Sequence, residues 1–178
     1  MRCLTTTESE EWISGHSWPI NPAKPNEEIF GINAKIPNNF TQIFWFSEFL
    51  SKSFISFETC LLQVTTWGVW PSSENLHLFY KLRETYGERR LISEAPGHLF
   101  QKYERADLAT FIQIGILSGW DFELHPNPAW IRGFVSHDEW FELFSTDEAN
   151  LNEVQKNLQS IKIDFKTFRT PISEYRIK

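Results

Sequence analysis

Cysteine is scarce. Cys3 and Cys60 are the only two in 178 residues and share no CxxC spacing, which excludes a disulfide scaffold and a thioredoxin-type motif. Long apolar runs are absent, none approaching the roughly 18–20 residues of a membrane span. The opening stretch MRCLTTTESEEW has no apolar signal-peptide core. Basic residues are in deficit, 17 against 23 acidic, for a net charge of −6, so the strongly basic stripe of a nucleic-acid binder is missing. GxSxG, the P-loop, GxGxxG and HExxH do not occur, which removes the commonest signatures of nucleophilic, nucleotide and zinc chemistry. These absences describe a soluble protein of a reducing compartment, cytoplasmic by expectation. They point to no membrane or nucleic-acid partner and to no cofactor or metal. No internal repeat is visible.

Aromatic residues are plentiful: 16 Phe, 8 Trp and 4 Tyr make up 16% of the chain. Rings bury a large apolar area each, so they build a core readily. Trp and Tyr also dominate binding hot spots, and composition alone leaves both roles open. Acidic charge is concentrated. Residues 106–150 carry 8 acidic side chains (Asp107, Asp121, Glu123, Asp138, Glu139, Glu142, Asp147 and Glu148) against Arg132 alone. Such a block either keeps a face solvated or attracts a basic partner.

Along the chain, Thr7 with Glu10 fits a capping box for a helix ending at Gly15, and the Pro-rich residues 17–27 read as a loop. Residues 1–38 as a whole read as an extended N-terminal appendage to a single domain spanning 1–178, with a strand at 28–36. A helix follows from Asn39 to Lys52, its apolar stripe taken as Phe40, Ile43, Phe44, Phe46, Phe49 and Leu50. Further strands are predicted at 54–67, 91–93 (resuming at 98–100), 120–124, 131–135, 139–144 and 161–168. Helices are predicted at 74–86, 104–118 and 147–159. The connections after Gly119 are short, and short connections make neighbouring strands antiparallel. The fold class is therefore α+β: a single domain with a largely antiparallel sheet covered by helices.

Four constellations are candidates for function. Glu94 and His98 flank an Ala-Pro-Gly turn, and His137 and Asp138 stand in a polar SHDE stretch. If the four converge they offer a metal-dependent or acid/base hydrolase site. A Glu74-x-x-His77 pair on a helix has metal-ligand spacing, but a carboxylate-bridged centre needs two such motifs. The stretch Trp67 to Asn75 sets Trp67, Trp70, Ser72 and Ser73 at a helix start, where backbone donors favour an anion; Arg83, Arg89 and Arg90 are candidate assistants. Asp138, Glu139, Trp140 and Glu142 combine acid and ring in one segment, as a binding surface for a basic protein would.

The segments WGVWPSSEN, YGERRLISEAPGHLF and SHDEWFE resemble stretches of small bacterial proteins of unknown function, over about residues 60–145. The resemblance implies a bacterial origin and carries no activity or site residues. The functional expectation is a non-catalytic protein-binding module, an acidic inhibitor or immunity-like protein. The hydrolase is the alternative, and the anion-binding module at Ser72 and Ser73 comes after it.

Overall fold

A computed structural model describes residues 1–16, 28–54, 57–67 and 73–171, with backbone alone for 73–76. Eight strands form one sheet: β1 (Arg2–Leu4), β2 (Glu28–Lys35), β3 (Thr59–Thr66), β4 (Gly97–Gln101), β5 (Asp121–Asn127), β6 (Arg132–Ser136), β7 (Trp140–Ser145) and β8 (Phe165–Pro171). Five helices accompany them: α1 (Thr6–Gly15), α2 (Phe40–Ser53), α3 (Ser73–Thr85), α4 (Arg105–Leu117) and α5 (Glu148–Ser160). The strand order is β1-β4-β3-β5-β6-β7-β2-β8, and every pairing is antiparallel. The chain is an α+β single domain.

Strand alternation divides the sheet into two faces. One face presents Cys60, Leu62, Val64, Phe100, Phe122, Leu124, Val135, Phe141, Leu143, Ile32 and Ala34 to a helix layer that supplies Phe46, Leu50, Phe79, Leu108, Phe111, Ile112, Leu151, Val154 and Leu158. Rings lock the layers together: Phe46 meets Phe141 at 4.6 Å, and Phe79 meets Trp120 at 5.0 Å, between centroids. Among the described residues, ten of the 16 Phe and Trp120 are buried. On the other face, Leu4, Leu61 and Leu99 pack beneath Trp12 and Ile13 of α1.

Local chemistry accounts for the element ends. Thr5 accepts from the Glu8 backbone N–H while Glu8 accepts from the Thr5 N–H, a reciprocal capping box. It lies two residues before the one read from Thr7 and Glu10. Asn39 caps α2 through the Gln42 N–H, and Asp147 caps α5 through Ala149 N–H. Gly87 and Gly119 take positive φ, 78° and 64°, after α3 and α4, where a residue with a Cβ would be strained.

Several expectations are corrected. Residues 28–35 are no appendage: β2 lies inside the sheet between β7 and β8, with Ile32 fully buried. Its hydrogen-bonding partners come from the far end of the chain, which no local pattern reveals. The Pro-rich residues 17–27 lie outside the described residues. Residues 91–93 belong to a turn, closed by a hydrogen bond from the Glu94 N–H to the Leu91 carbonyl at 3.0 Å. Residues 161–163 are a turn and an extended link, with Lys162 at φ 58°, so the last strand begins only at Phe165. On α2, Ile43, Phe46, Phe49 and Leu50 are buried, but Phe40 and Phe44 are 75% and 44% exposed, together with Trp45 at 52%. The stripe is narrower than the run of rings suggests, because a helix of this kind turns only one face to the core.

Arg83, on the buried side of α3, is fully enclosed. Its Nη2 donates to the Ala95 carbonyl at 3.1 Å, and its guanidinium lies 5.3 Å from the Phe79 ring centroid and 5.8 Å from that of Tyr80. Cation–π attraction and the negative end of α3 offset part of its desolvation.

Candidate functional site

The four residues of the hydrolase reading do not converge. His98 sits on β4 beneath the helix layer, fully buried, with its ring 5.4 Å from Phe79 and 5.1 Å from Phe111. Burial first, and the charge of Arg83 second, push its pKa down to about 3. Glu94 turns away into its own loop, where its carboxylate accepts the Leu91 N–H at 2.7 Å. His137 and Asp138 occupy the turn between β6 and β7. His137 Nδ1 bonds Asp121 at 2.8 Å, and Asp121 alternates with the buried Phe122, so it projects from the face opposite the helices. β4 and β6 are also separated by β3 and β5. His98 and His137 thus lie on opposite faces of the sheet, and the four-residue site fails on geometry.

The binding residues of the anion reading fare differently. Trp67 is half-buried, packed against the core and edge-on to Trp120 at 5.7 Å. Trp70 and Ser72 lie outside the described residues, as does the side chain of Ser73. Ser73 does open α3, but Arg83 is ten residues further along it, about 15 Å at 1.5 Å per residue. Arg90 pairs with Glu88 at 2.6 Å and Arg89 lies 3.9 Å from Glu84, both beyond that far end. The three arginines therefore do not serve the helix start.

What the fold does assemble is an acidic, ring-bearing patch on β5, β6 and β7, on the face away from α2 to α5. The register pairs Glu123 with Phe134, Phe134 with Glu142 and Glu142 with Asn33. Cross-strand partners share a face, so Glu123, Phe134, Glu142 and Asn33 form one row. Trp140, paired with Ser136 in the next row, reaches Phe134 at 5.2 Å between ring centroids. Both rings are half-buried. Asp138, with 72% of its side chain exposed, and the exposed Glu139 close the turn at one end. Glu139 takes φ 65° there. Of the expected binding residues, Asp138, Glu139, Trp140 and Glu142 are thus gathered on one patch. Asp121, Glu123 and Phe134 join them from the two preceding strands. Lys35 and Lys166 lie on β2 and β8, in register with Trp140 and Asn33, so the face is acidic on β5–β7 and basic toward its β8 edge.

The acids of the patch are held in place by neighbours. Glu142 accepts from the Asn33 amide at 2.9 Å. Glu123 Oε2 lies 2.7 Å from His125 Nε2 and 3.2 Å from Arg132 Nη2. Burial opposes the Glu123 charge, but His125 and Arg132 outweigh it, and its pKa falls below the usual carboxylate value. Burial is also the main cause that lowers the pKa of His125, against the opposing pull of Glu123. At His137 the hydrogen bond to Asp121 comes first and the charge of Asp121 second; both raise the imidazole pKa, and Asp138 adds to the shift. Asp121 and Asp138 engage opposite nitrogens of that ring. This arrangement orients a histidine but does not surround an ion. Among the described residues no three His, Cys, Asp or Glu side chains are placed to hold a metal.

Asp121 and Glu123 belong to the acidic block of the sequence, but neither they nor Phe134 are expected there as site residues. Their signal was present in the alternation of β5 and β6, but it becomes legible only with the hairpin register that sets which positions share a face. The exposed ring cluster on α2 was hidden by the same aromatic abundance that marks the core. Among the described residues no helix is long and apolar enough to cross a membrane. In comparisons with protein-family models, curated proteins and solved structures, nothing matches this chain.

Proposed function

We propose that this chain is a non-catalytic protein-binding module, an acidic inhibitor of the immunity type and of bacterial origin, that docks a basic protein on β5–β7. The observation that carries the reading is the Phe134–Trp140 ring pair at 5.2 Å, framed by Asp121, Glu123, Asp138, Glu139 and Glu142. Exposed acids around such a pair steer a cationic partner and speed its encounter. Half-buried aromatic side chains then supply the anchors on which most interface energy depends. Glu142 and Glu123 are seated on the sheet and held by Asn33 and Arg132, so these two lose little side-chain freedom on docking. Cytoplasmic residence is part of the reading, in keeping with two free, buried cysteines.

The test is charge reversal. The triple variant Asp138→Lys, Glu139→Lys, Glu142→Lys keeps the strand backbone and inverts the patch. With a basic partner protein in hand, its association rate should fall at least about tenfold at low salt, and the steep salt dependence of the wild-type rate should flatten. A variant that associates at the wild-type rate with the wild-type salt dependence sinks the reading.

A further inference from the structure

On the helix side of the sheet, between the end of α2, the start of α4 and the body of α5, the surface opens into a cleft of about 570 Å³. We propose that this cleft binds a small zwitterion of the amino-acid class carrying a flat apolar side chain. Its volume falls within the range of small-molecule sites. Phe54, Phe57, Ile131 and Val154 line it and are nearly fully buried, which gives it an apolar floor. Trp130 also lines it and is 48% exposed, a wall on which a flat group can stack.

The charges decide the ligand class. Arg105, the first residue of α4, and Glu153 of α5 both line the cleft. Neither makes an ion pair within 4 Å among the described residues, with each other or with any third group. Lys52, also on the rim, is occupied by Glu48 at 3.5 Å. A ligand of one sign would engage Arg105 or Glu153 alone and leave the other without a partner. A ligand with a carboxylate for Arg105 and an ammonium for Glu153 satisfies both, and guanidinium suits a carboxylate because its donors match the two oxygens. The site is independent of the β5–β7 patch, which faces the other way.

The experiment is calorimetric titration of the full chain with L-phenylalanine. Phenylacetate, which lacks the ammonium, and phenethylamine, which lacks the carboxylate, are the comparison probes. L-phenylalanine should bind saturably and at least about tenfold tighter than either probe. Arg105→Gln and Glu153→Gln should each cut its affinity about tenfold while leaving the thermal midpoint without ligand in place, since both side chains stand at the cleft surface. Absence of saturable binding up to the solubility of the amino acid overturns the proposal. So does equal affinity for all three probes, or wild-type affinity in both variants.

Discussion

Replacing Phe79 with alanine should destabilise the protein by about 3–5 kcal/mol, the range for removing a fully buried ring. Phe79 is 1% exposed. Its ring lies 5.0 Å from Trp120, 5.4 Å from Phe111, 5.4 Å from His98 and 5.9 Å from Tyr80, between centroids. Through it α3 reaches both α4 and the sheet. The substitution opens a cavity at that junction and strips one of the two rings from the Arg83 guanidinium, which then sits buried with less compensation. Urea unfolding at neutral pH checks it. The midpoint should drop with little change in slope. A loss below about 1 kcal/mol would mean that α3 is not held by this contact.

The second large effect is a pH dependence seated in His98. Folding holds its pKa at about 3, whereas the unfolded chain takes up a proton near the ordinary value of about 6.5. Between those limits the unfolded state binds more protons, so stability is fully present above about pH 6.5 and is lost as the pH falls toward 3. At about 1.4 kcal/mol per pK unit the contribution is on the order of 3–5 kcal/mol. His125 works in the same direction, its pKa also being lowered by burial. His137 works in the opposite direction, because its raised pKa adds stability at low pH that is lost as the pH rises. The His98→Leu variant should isolate the effect. It places carbon among Phe79 and Phe111 and removes a fully buried imidazole. Its unfolding free energy should fall much less than that of the wild type between pH 7 and pH 4. Parallel pH profiles for the two proteins would refute the assignment.

Much of this architecture was legible in the chain, for identifiable reasons. Asn39 and Asp147 announce their helices because a short polar side chain at that position satisfies a backbone N–H. β3 was legible from its continuous Cys60-Leu61-Leu62 run, since both sides of that strand are covered: Cys60 and Leu62 by the helix layer, Leu61 by α1. β5, β6 and β7 followed from their short connections. What stayed illegible was long-range. The insertion of β2 between β7 and β8 pairs Asn33 with Glu142 and Lys166, more than a hundred residues downstream. The separation of His98 from His137 likewise depends on strand order. Phe40 and Phe44 follow the helical spacing of the core residues but fall outside the arc that α2 turns toward the sheet, and spacing alone does not locate the edge of that arc.

The patch itself was half legible. Asp138, Glu139, Trp140 and Glu142 were identifiable because they are contiguous in sequence. Asp121, Glu123 and Phe134 join them only through the hairpin register. The proposed function therefore rests on a property of the sheet, a row of acids and rings across three strands.

Hydrogen exchange of the protein alone and with its basic partner bound tests this claim most directly, because it reports which face is covered. The account predicts new protection over residues 132–145, strongest around Phe134 and Trp140, with the amides of α2, α4 and α5 unchanged. Protection confined to the helix side, with β6 and β7 exchanging as they do in the free protein, would contradict it.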